Sequence, residues 1–486
     1  MKHVAIDIGA SGGTVYLGDL TATEFDVAEV QSFENYPVER DGRYVWDLDA
    51  LRDRIVDGIR AADEQAGGID TIAIDAWGLD FGLVADGEVL RPPTSYRDPE
   101  ATATRDEVFE AVGKRRLFEA SGITNWATPN TLWQLHTLAT REPAVLDRTE
   151  VILPMPQLLS MLLGGRETGE VTVASTSQMV DPERRTWATD LVEALELPTD
   201  VLPDLEEPGA SLGPLADDIA TSLSSTPELM TTASHDTAAA VAGLPLDEDS
   251  AFLNTGSWFI LGVERTEPLR TDAAFDAELS NELGVDETVR LLKNVNGFFL
   301  LEACRDAWAD AGEPTDYDHL LSAARDAPAR AALVDPDADA FSIDEPMPDQ
   351  IRAYCRRTDQ PVPESPGAVV RCLVDSLVAK TALAFDELVS VVDDPPSRIN
   401  LGGGGVRNDL FCQLLADAVG RPVVAGPVEA TAIGNLLVQG VAAGTLDDVT
   451  AGRELVESTF ATTTYEPTAG DDWAGAKARL RTLSAD

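Results

Sequence analysis

Apolar residues run unbroken through most of HVAIDI (residues 3 to 8), GASGG follows as a turn, and TVYLGDL returns to strand character. This pattern predicts an opening β-hairpin around a glycine-rich tip. The same order of apolar strand, polar glycine-containing tip and apolar strand recurs in SAFLNTGSWFILGVE, residues 250 to 264. Two such hairpins half a chain apart predict a duplicated domain, with chance agreement of two short β patterns as the competing reading. Between them, periodicity predicts a helix near 48 to 65, a strand over 70 to 75 (DTIAID) and mostly helical material from 100 to 165. The turn-prone LPLDEDS marks a boundary near 245 to 250. Beyond it, apolar residues at helical spacing predict a helix over 366 to 391 with Pro366 in its first turn. A strand RINL, the run GGGGV and a helix from about Asn408 come next, and the Thr- and Asp-rich end closes in a surface helix. No linker separates the halves, so the expectation is two packed domains with a cleft between them: 1–245, 246–445 and a C-terminal extension 446–486.

Composition narrows the class. A chain of 486 residues has ample core for two domains, and 44% apolar with only 6% aromatic residues suits an α/β protein built from Ala, Val and Leu. The formal net charge of -49 is distributed along the chain, with Lys only at positions 2, 114, 293, 380 and 477. Such self-repulsion opposes compaction in dilute buffer but is screened over about 3 Å at 1 M salt, so the chain reads as halophilic, adapted to a concentrated-salt cytoplasm. An acidic protein of ordinary salt is the alternative. Nucleic acid is excluded as a partner for want of a basic patch. Cys304, Cys355, Cys372 and Cys412 lie far apart without a C-x-x-C, so buried thiols are expected, and a Cys355–Cys372 bridge cannot be deduced from spacing. The sequence enters a strand directly and offers no run of about 18 apolar residues, which predicts a cytoplasmic protein that does not engage a membrane.

Candidate chemistry lies at the turns. Asp7 ends the first strand and could hold a hydrated divalent cation beside Ala10, Ser11, Gly12, Gly13 and Thr14, where glycines let backbone amides approach an anion. An unliganded hairpin turn is equally compatible. The second tip, with Thr255, Gly256 and Ser257, adds hydroxyl and amide donors. Gly403, Gly404 and Gly405 sit between a strand and a helix; Arg407 stands where a dinucleotide fingerprint needs glycine, so a shelf for a nucleotide's sugar or base is expected, with a tight turn as the plain alternative. No P-loop is present. In TTASHDTAAAVAGLP, Ser234, His235 and Asp236 are adjacent, and adjacent side chains diverge, so they form no hydrolase triad. Asp236 precedes a small-residue helix, where helix-start amides stabilise an anion; it is either an N-cap or a base for a hydroxyl attacking a phosphate.

Taken in order, Asp7 with GASGG, the NTGSW tip, SHDT, and GGGGVRN followed by PVEATAIGN resemble the FGGY carbohydrate kinases, from residue 3 to about 444. The resemblance implies two duplicated actin/hexokinase-like (ribonuclease H-like) domains. IDAWGLDFGLV, SYRD, NTLWQL, STSQMVDP and LLKNVNGFFLLE resemble the branch that phosphorylates L-rhamnulose on its 1-hydroxyl with ATP and Mg2+. L-fuculose or D-xylulose as substrate, or an inactive sugar and nucleotide sensor, are the alternatives. The resemblance implies Asp236 as general base, with Gly78, Trp77, His235, Thr237 and Asn294 at the sugar. For Trp77 a packed aromatic is the equal alternative. It assigns ATP to Ala10 through Thr14, Thr255 to Ser257, Glu302 and Gly403 to Gly405, and the metal to Asp7, in a monomer or homodimer. Three places depart from the family: Thr14 replaces an Arg, losing a charge-assisted phosphate contact, Glu302 replaces a Gln, and GITNWATPNT carries Asn125-Trp126-Ala127 where the family tends to be more apolar.

Overall fold

In the computed structural model, which describes residues 1–341, 345–468 and 473–484, the first hairpin forms as expected: β1 (Lys2–Ile8) pairs antiparallel with β2 (Gly12–Leu20). The chain divides into two compact units. The first holds Met1–Pro245, Glu264–Leu291 and Glu429–Phe460; the second holds Leu246–Val263, Leu292–Val428 and Ala461–Asp486.

In the first unit, β3 (Phe25–Glu34), β4 (Thr71–Ala76), β5 (Ser211–Pro214) and β6 (Glu228–Met230) complete a sheet of order β3-β2-β1-β4-β6-β5. Strand alternation divides β1 between two cores. Val4, Ile6 and Ile8 pack with Leu51, Ile55 and Ile59 of the helix Leu48–Ala66, which Asp47 caps at one end and a left-handed Gly67 at the other. Ala5, with Tyr16 and Leu20 of β2, packs with Ile433, Leu436 and Leu437 of the helix Ala430–Ala442. On that same face a buried chain of hydrogen bonds runs from His3 Nδ1 to Thr71 Oγ1 (2.7 Å), from Thr71 to Gln439 Oε1 (2.6 Å), from Gln439 Nε2 to Asn435 Oδ1 (2.7 Å), and from Asn435 Nδ2 to Asp75 Oδ2 (2.5 Å). A second core, around Leu132, Trp133 and Leu135, lies under the helices expected between 100 and 165. That stretch also contains a strand, Val151–Pro154, paired antiparallel with Phe81–Ala85. VILP is too short for periodicity to separate strand from helix.

In the second unit, β7 (Ser250–Thr255), β8 (Trp258–Arg265), β9 (Arg398–Gly403), β10 (Val423–Ala425) and β11 (Thr463–Tyr465) lie in the order β8-β7-β9-β10-β11. The helix Pro366–Val391 has the bounds its periodicity predicts, with Ser365 accepting from Ala368 N as its cap. From β2 through β1, β4, β6 and β5, and from β8 through β7, β9, β10 and β11, the pairings follow one sequence: antiparallel, parallel, parallel, antiparallel. The two hairpins therefore each open the same strand arrangement, as a duplication requires. All four cysteines are buried free thiols. Among the described residues no helix is long and apolar enough to cross a membrane.

Candidate active site

Register brings two carboxylates together at the end of the first unit's parallel ladder: Asp7 lies opposite Asp75 on one side and Thr14 on the other. Burial, then the negative charges of Asp236 and Glu429, push the Asp7 carboxyl up to about 7. Burial and the neighbouring Asp7 raise Asp75 well above the ordinary carboxyl range. Asp75 Oδ2 accepts from Asn435, while Oδ1 is buried without a partner. Among the described residues no group of three or more His, Cys, Asp or Glu side chains is arranged to hold a metal. One or two carboxylates completed by phosphate oxygens and water is the usual Mg2+ arrangement, and crowded negative charge with an open carboxylate oxygen fits that ion.

The tip after Asp7 is closed by Gly9 N donating to Gly12 O at 2.7 Å. Asn35, absent from the sequence expectations, ties it to the end of β3: its Nδ2 donates to Gly9 O at 2.8 Å and its N to Ser11 O at 3.2 Å. A Cβ on Gly13 would sit 2.5 Å from the Phe33 ring, so that ring packs directly over the glycine. Ser11 is exposed at the crest, with Ala10 and Gly12 partly so; Thr14 is half-buried in β2.

Asp236 opens the helix Asp236–Ala242, but His235, not Asp236, occupies the N-cap position. The plain N-cap reading therefore does not hold. Asp236 Oδ1 instead accepts from its neighbour Thr237, from N at 2.5 Å and Oγ1 at 3.2 Å, leaving the carboxylate about a third exposed. The small-residue run has a packing cause. A Cβ on Gly434 would lie 1.8 Å from Ala239 O and one on Gly243 2.1 Å from Ala430 O, so two helices approach backbone to backbone there.

Ser234, two residues before this helix, is held from three sides. Ala76 N donates to Ser234 O at 2.9 Å, Gln157 Nε2 donates to Ser234 Oγ at 2.9 Å, and Ser234 N donates to Glu170 Oε2 at 3.2 Å. Ser234 thus anchors the segment. Glu170, fully buried, also accepts from Thr172 N, Thr172 Oγ1 and Val173 N; burial raises its carboxyl to about 7 against those bonds. Beyond it, His235 Nε2 is 3.4 Å from Asp236 Oδ1 and Nδ1 is 3.4 Å from Glu282 Oε2, with Arg290 Nη2 3.2 Å from the same oxygen.

Gly78 is buried, and a Cβ there would meet Thr176 Oγ1 at 2.7 Å. Trp77 is only 5% exposed, its ring tilted on Trp46 at 4.3 Å and its N–H donated to Asp80 at 3.1 Å. Asp80 also accepts from Trp46, Gln134 and Tyr96 N, and burial raises it to about 6. In the second unit, Thr255 is buried and acts as a latch, its Oγ1 donating to Gly402 O at 2.5 Å and accepting from Gly405 N at 2.9 Å. Gly403 has φ +77°, and a Cβ would lie 2.2 Å from Thr255 O, whereas Gly404 is exposed with open space around it. Gly256 and Ser257 are exposed at the tip. Asn294 is half-buried, and its Oδ1 is a buried acceptor without a hydrogen-bond partner. Glu302, half-exposed, pairs with Arg305 at 2.6 Å, which offsets part of the negative charge that its departure from Gln adds.

Asn35, Asp75, Glu170, Glu282, Arg290 and the Tyr16–Glu429 hydrogen bond (2.8 Å) escaped sequence reasoning. The one local signal was a charged residue inside an apolar run, as in GEVTVAS.

Residues 3–243 match the model of the FGGY family of carbohydrate kinases, N-terminal domain, and 251–443 match its C-terminal domain. A rhamnulokinase of Bacteroides thetaiotaomicron is 37% identical over 439 residues, covering 90% of this chain and 89% of the relative. A rhamnulokinase of Bacillus subtilis is 32% identical over 446 residues, covering 91% and 90%. Among solved structures, a ligand-bound xylulose kinase from Lactobacillus acidophilus superposes with TM-score 0.80 at 17% identity, covering 99% of this chain and 96% of that one. Plasmodium falciparum glycerol kinase with ADP gives 0.77 at 14%, covering 100% and 97%.

Proposed function

The chain belongs to the FGGY family of carbohydrate kinases, and on that premise we propose that it transfers the γ-phosphate of ATP to the 1-hydroxyl of L-rhamnulose, giving L-rhamnulose 1-phosphate. The observation that carries the reading is the partly exposed Asp236 carboxylate, oriented by Thr237 and set in the same unit as the glycine tip after Asp7. Relatives that carry the rhamnulose activity in their names match nine-tenths of the chain, which favours this ketose over L-fuculose or D-xylulose.

Asp236 accepts the proton of the attacking hydroxyl, and phosphoryl transfer asks little else of the protein than positioning and charge stabilisation. In the first unit His235, Thr237 and Gly78 orient the sugar, with Trp77 packed behind Gly78; in the second, Asn294 is the candidate sugar contact. For ATP, the first unit offers the tip from Ala10 to Thr14; the second offers the Gly256–Ser257 tip with its Thr255 latch and the Gly403–Gly405 shelf, with Glu302 toward the nucleoside. Mg2+, usual in this family, would be held by Asp7 and would neutralise charge on the phosphoryl oxygens.

ADP release measured in multimolar KCl against a panel of ketoses tests the reading. L-rhamnulose is expected to give the highest kcat/KM, and Asp236→Asn to lower kcat by about 10²- to 10⁴-fold. Equal or better turnover of D-xylulose, or ATP and ketose binding without ADP formation, overturns it. The acid excess further supports work in a concentrated-salt cytoplasm. The unfolding midpoint is expected to rise steeply from dilute buffer to multimolar KCl, and an unchanged midpoint refutes that adaptation.

A further inference from the structure

Arg290 is completely buried and lies beside the catalytic end of the first unit, where carboxylates dominate. Its Nε and Nη2 donate to Leu283 O at 3.2 and 3.0 Å, and Nη2 also faces Glu282 Oε2 at 3.2 Å and His235 Nδ1 at 3.4 Å. Glu282 is itself only 4% exposed, and its Oε2 is the same 3.4 Å from His235 Nδ1. One ring nitrogen is therefore contested by an obligate donor, Arg290, and an acceptor, Glu282.

The contest has two outcomes with different consequences for the sugar. If Arg290 donated to Nδ1, the ring would carry its proton on Nε2 and donate it to Asp236 Oδ1, 3.4 Å away, occupying the base before substrate arrives. If Nδ1–H donates to Glu282, Nε2 faces Asp236 as a bare lone pair. Arg290 Nη2 already donates to Leu283 O, whereas Glu282 Oε2 is buried without a hydrogen-bond partner, an orphaned acceptor that an Nδ1–H would satisfy. Burial works against the Glu282 charge, yet the approach of His235 and the Arg290 charge hold its carboxyl below the ordinary range, so it is an acceptor only. A charge-assisted bond to a buried carboxylate is the stronger of the two.

We propose that Glu282, anchored by Arg290, is a positioning residue that fixes His235 in the Nδ1-protonated tautomer. The Nε2 lone pair then accepts a second sugar hydroxyl alongside the one that gives its proton to Asp236. This extends the ketose kinase reading and rests on it for the sugar's part, whereas the tautomer is a property of the free protein.

Ring 15N shifts of the four histidines, with His235→Gln to assign His235, read the tautomer without turnover. At pH 8 the wild-type ring is expected to be neutral and protonated at Nδ1. In Glu282→Leu it is expected to convert to the Nε2–H form, with kcat/KM for the ketose falling roughly ten- to a hundredfold, the size seen when a partner orienting a functional histidine is removed. KM for ATP is expected to stay unchanged. Glu282→Gln, which keeps an acceptor oxygen, is expected to retain the tautomer and stay within about fivefold of wild type. A wild-type ring protonated at Nε2, or at both nitrogens, overturns the proposal whatever the folding of the variants. Unchanged ring shifts and kinetics in Glu282→Leu overturn it too. If the wild-type protein phosphorylates no ketose, the functional reading fails, and the ring shifts alone still decide the tautomer.

Discussion

At the end of β1, Asp7 faces Asp75 across the ladder to β4; at the matching place in the second unit, Asn254 on β7 faces Gly402 on β9. Each pair occupies the next-to-last rung before a glycine-bearing tip, on the same order of antiparallel and parallel strands. In the first unit both positions are carboxyls, each pushed up by burial and by the other negative groups. In the second a neutral amide faces a residue without a side chain, and the next residue, Gly403, passes so close to Thr255 O that no Cβ fits. One backbone plan thus serves two purposes. The acidic copy suits cation and proton handling, and the neutral copy leaves room for an anion's oxygens.

Making the acidic copy resemble the neutral one has the largest expected effect. Asp7→Asn is expected to lower kcat about a thousandfold, the scale of removing a group that organises transition-state charge. Its effect on stability runs the other way. The folded carboxyl titrates near 7, above its ordinary 3.8, so the ionised group opposes folding at pH 8, and the variant is expected to unfold at an equal or higher temperature there. A variant that loses activity and stability together would show that Asp7 is merely structural.

The converse change is milder. Asn254→Asp is expected to raise KM for ATP about tenfold, equivalent to about 1.4 kcal/mol, with kcat changed far less. An unaffected KM would mean that the second tip does not meet phosphate.

Acid separates the units by stability rather than by turnover. Burial, then the N-terminal charge, lowers His3 in the first unit to about 4 from 6.5. Below pH 6.5 the unfolded chain binds a proton that the folded chain refuses, so stability is full above 6.5 and is lost on descent toward 4, by up to about 3 kcal/mol. Hydrogen-exchange protection, corrected for intrinsic rates, is expected to fall in the first unit between pH 7 and 5. In His3→Gln that fall is expected to shrink, and an identical fall would assign the acid sensitivity elsewhere.

Where the signal was periodic, the sequence was readable nearly to the residue: the helices Leu48–Ala66 and Pro366–Val391, both hairpins, and the strand-to-helix turn at the glycine run. Asp7, Asp236 and the tips were legible because turns write themselves in Gly, Ser and Asp. Asp75 lay in a quoted motif without a role, since only its register opposite Asp7 gives it one. Glu170, Glu282 and Arg290 are dispersed in sequence and meet through tertiary packing, which leaves no spacing to read. Asp236's displacement from N-cap to first helical residue was illegible for a smaller reason: either register places an acid within one residue of the helix start.

The helix Ala430–Ala442 covers one face of the first sheet and supplies two links, Gln439 and Asn435, of the hydrogen-bonded chain from His3 to Asp75, although it is encoded near the other terminus. During synthesis, then, the emerging chain presents Ala5, Tyr16 and Leu20 without their lid until the ribosome has read through the whole second unit's core segment. At about 5–20 residues per second that interval is on the order of ten seconds or more, long enough for an open apolar sheet to need shielding. Order of manufacture and order of completion are therefore uncoupled: the half begun first waits for a segment made after most of the other.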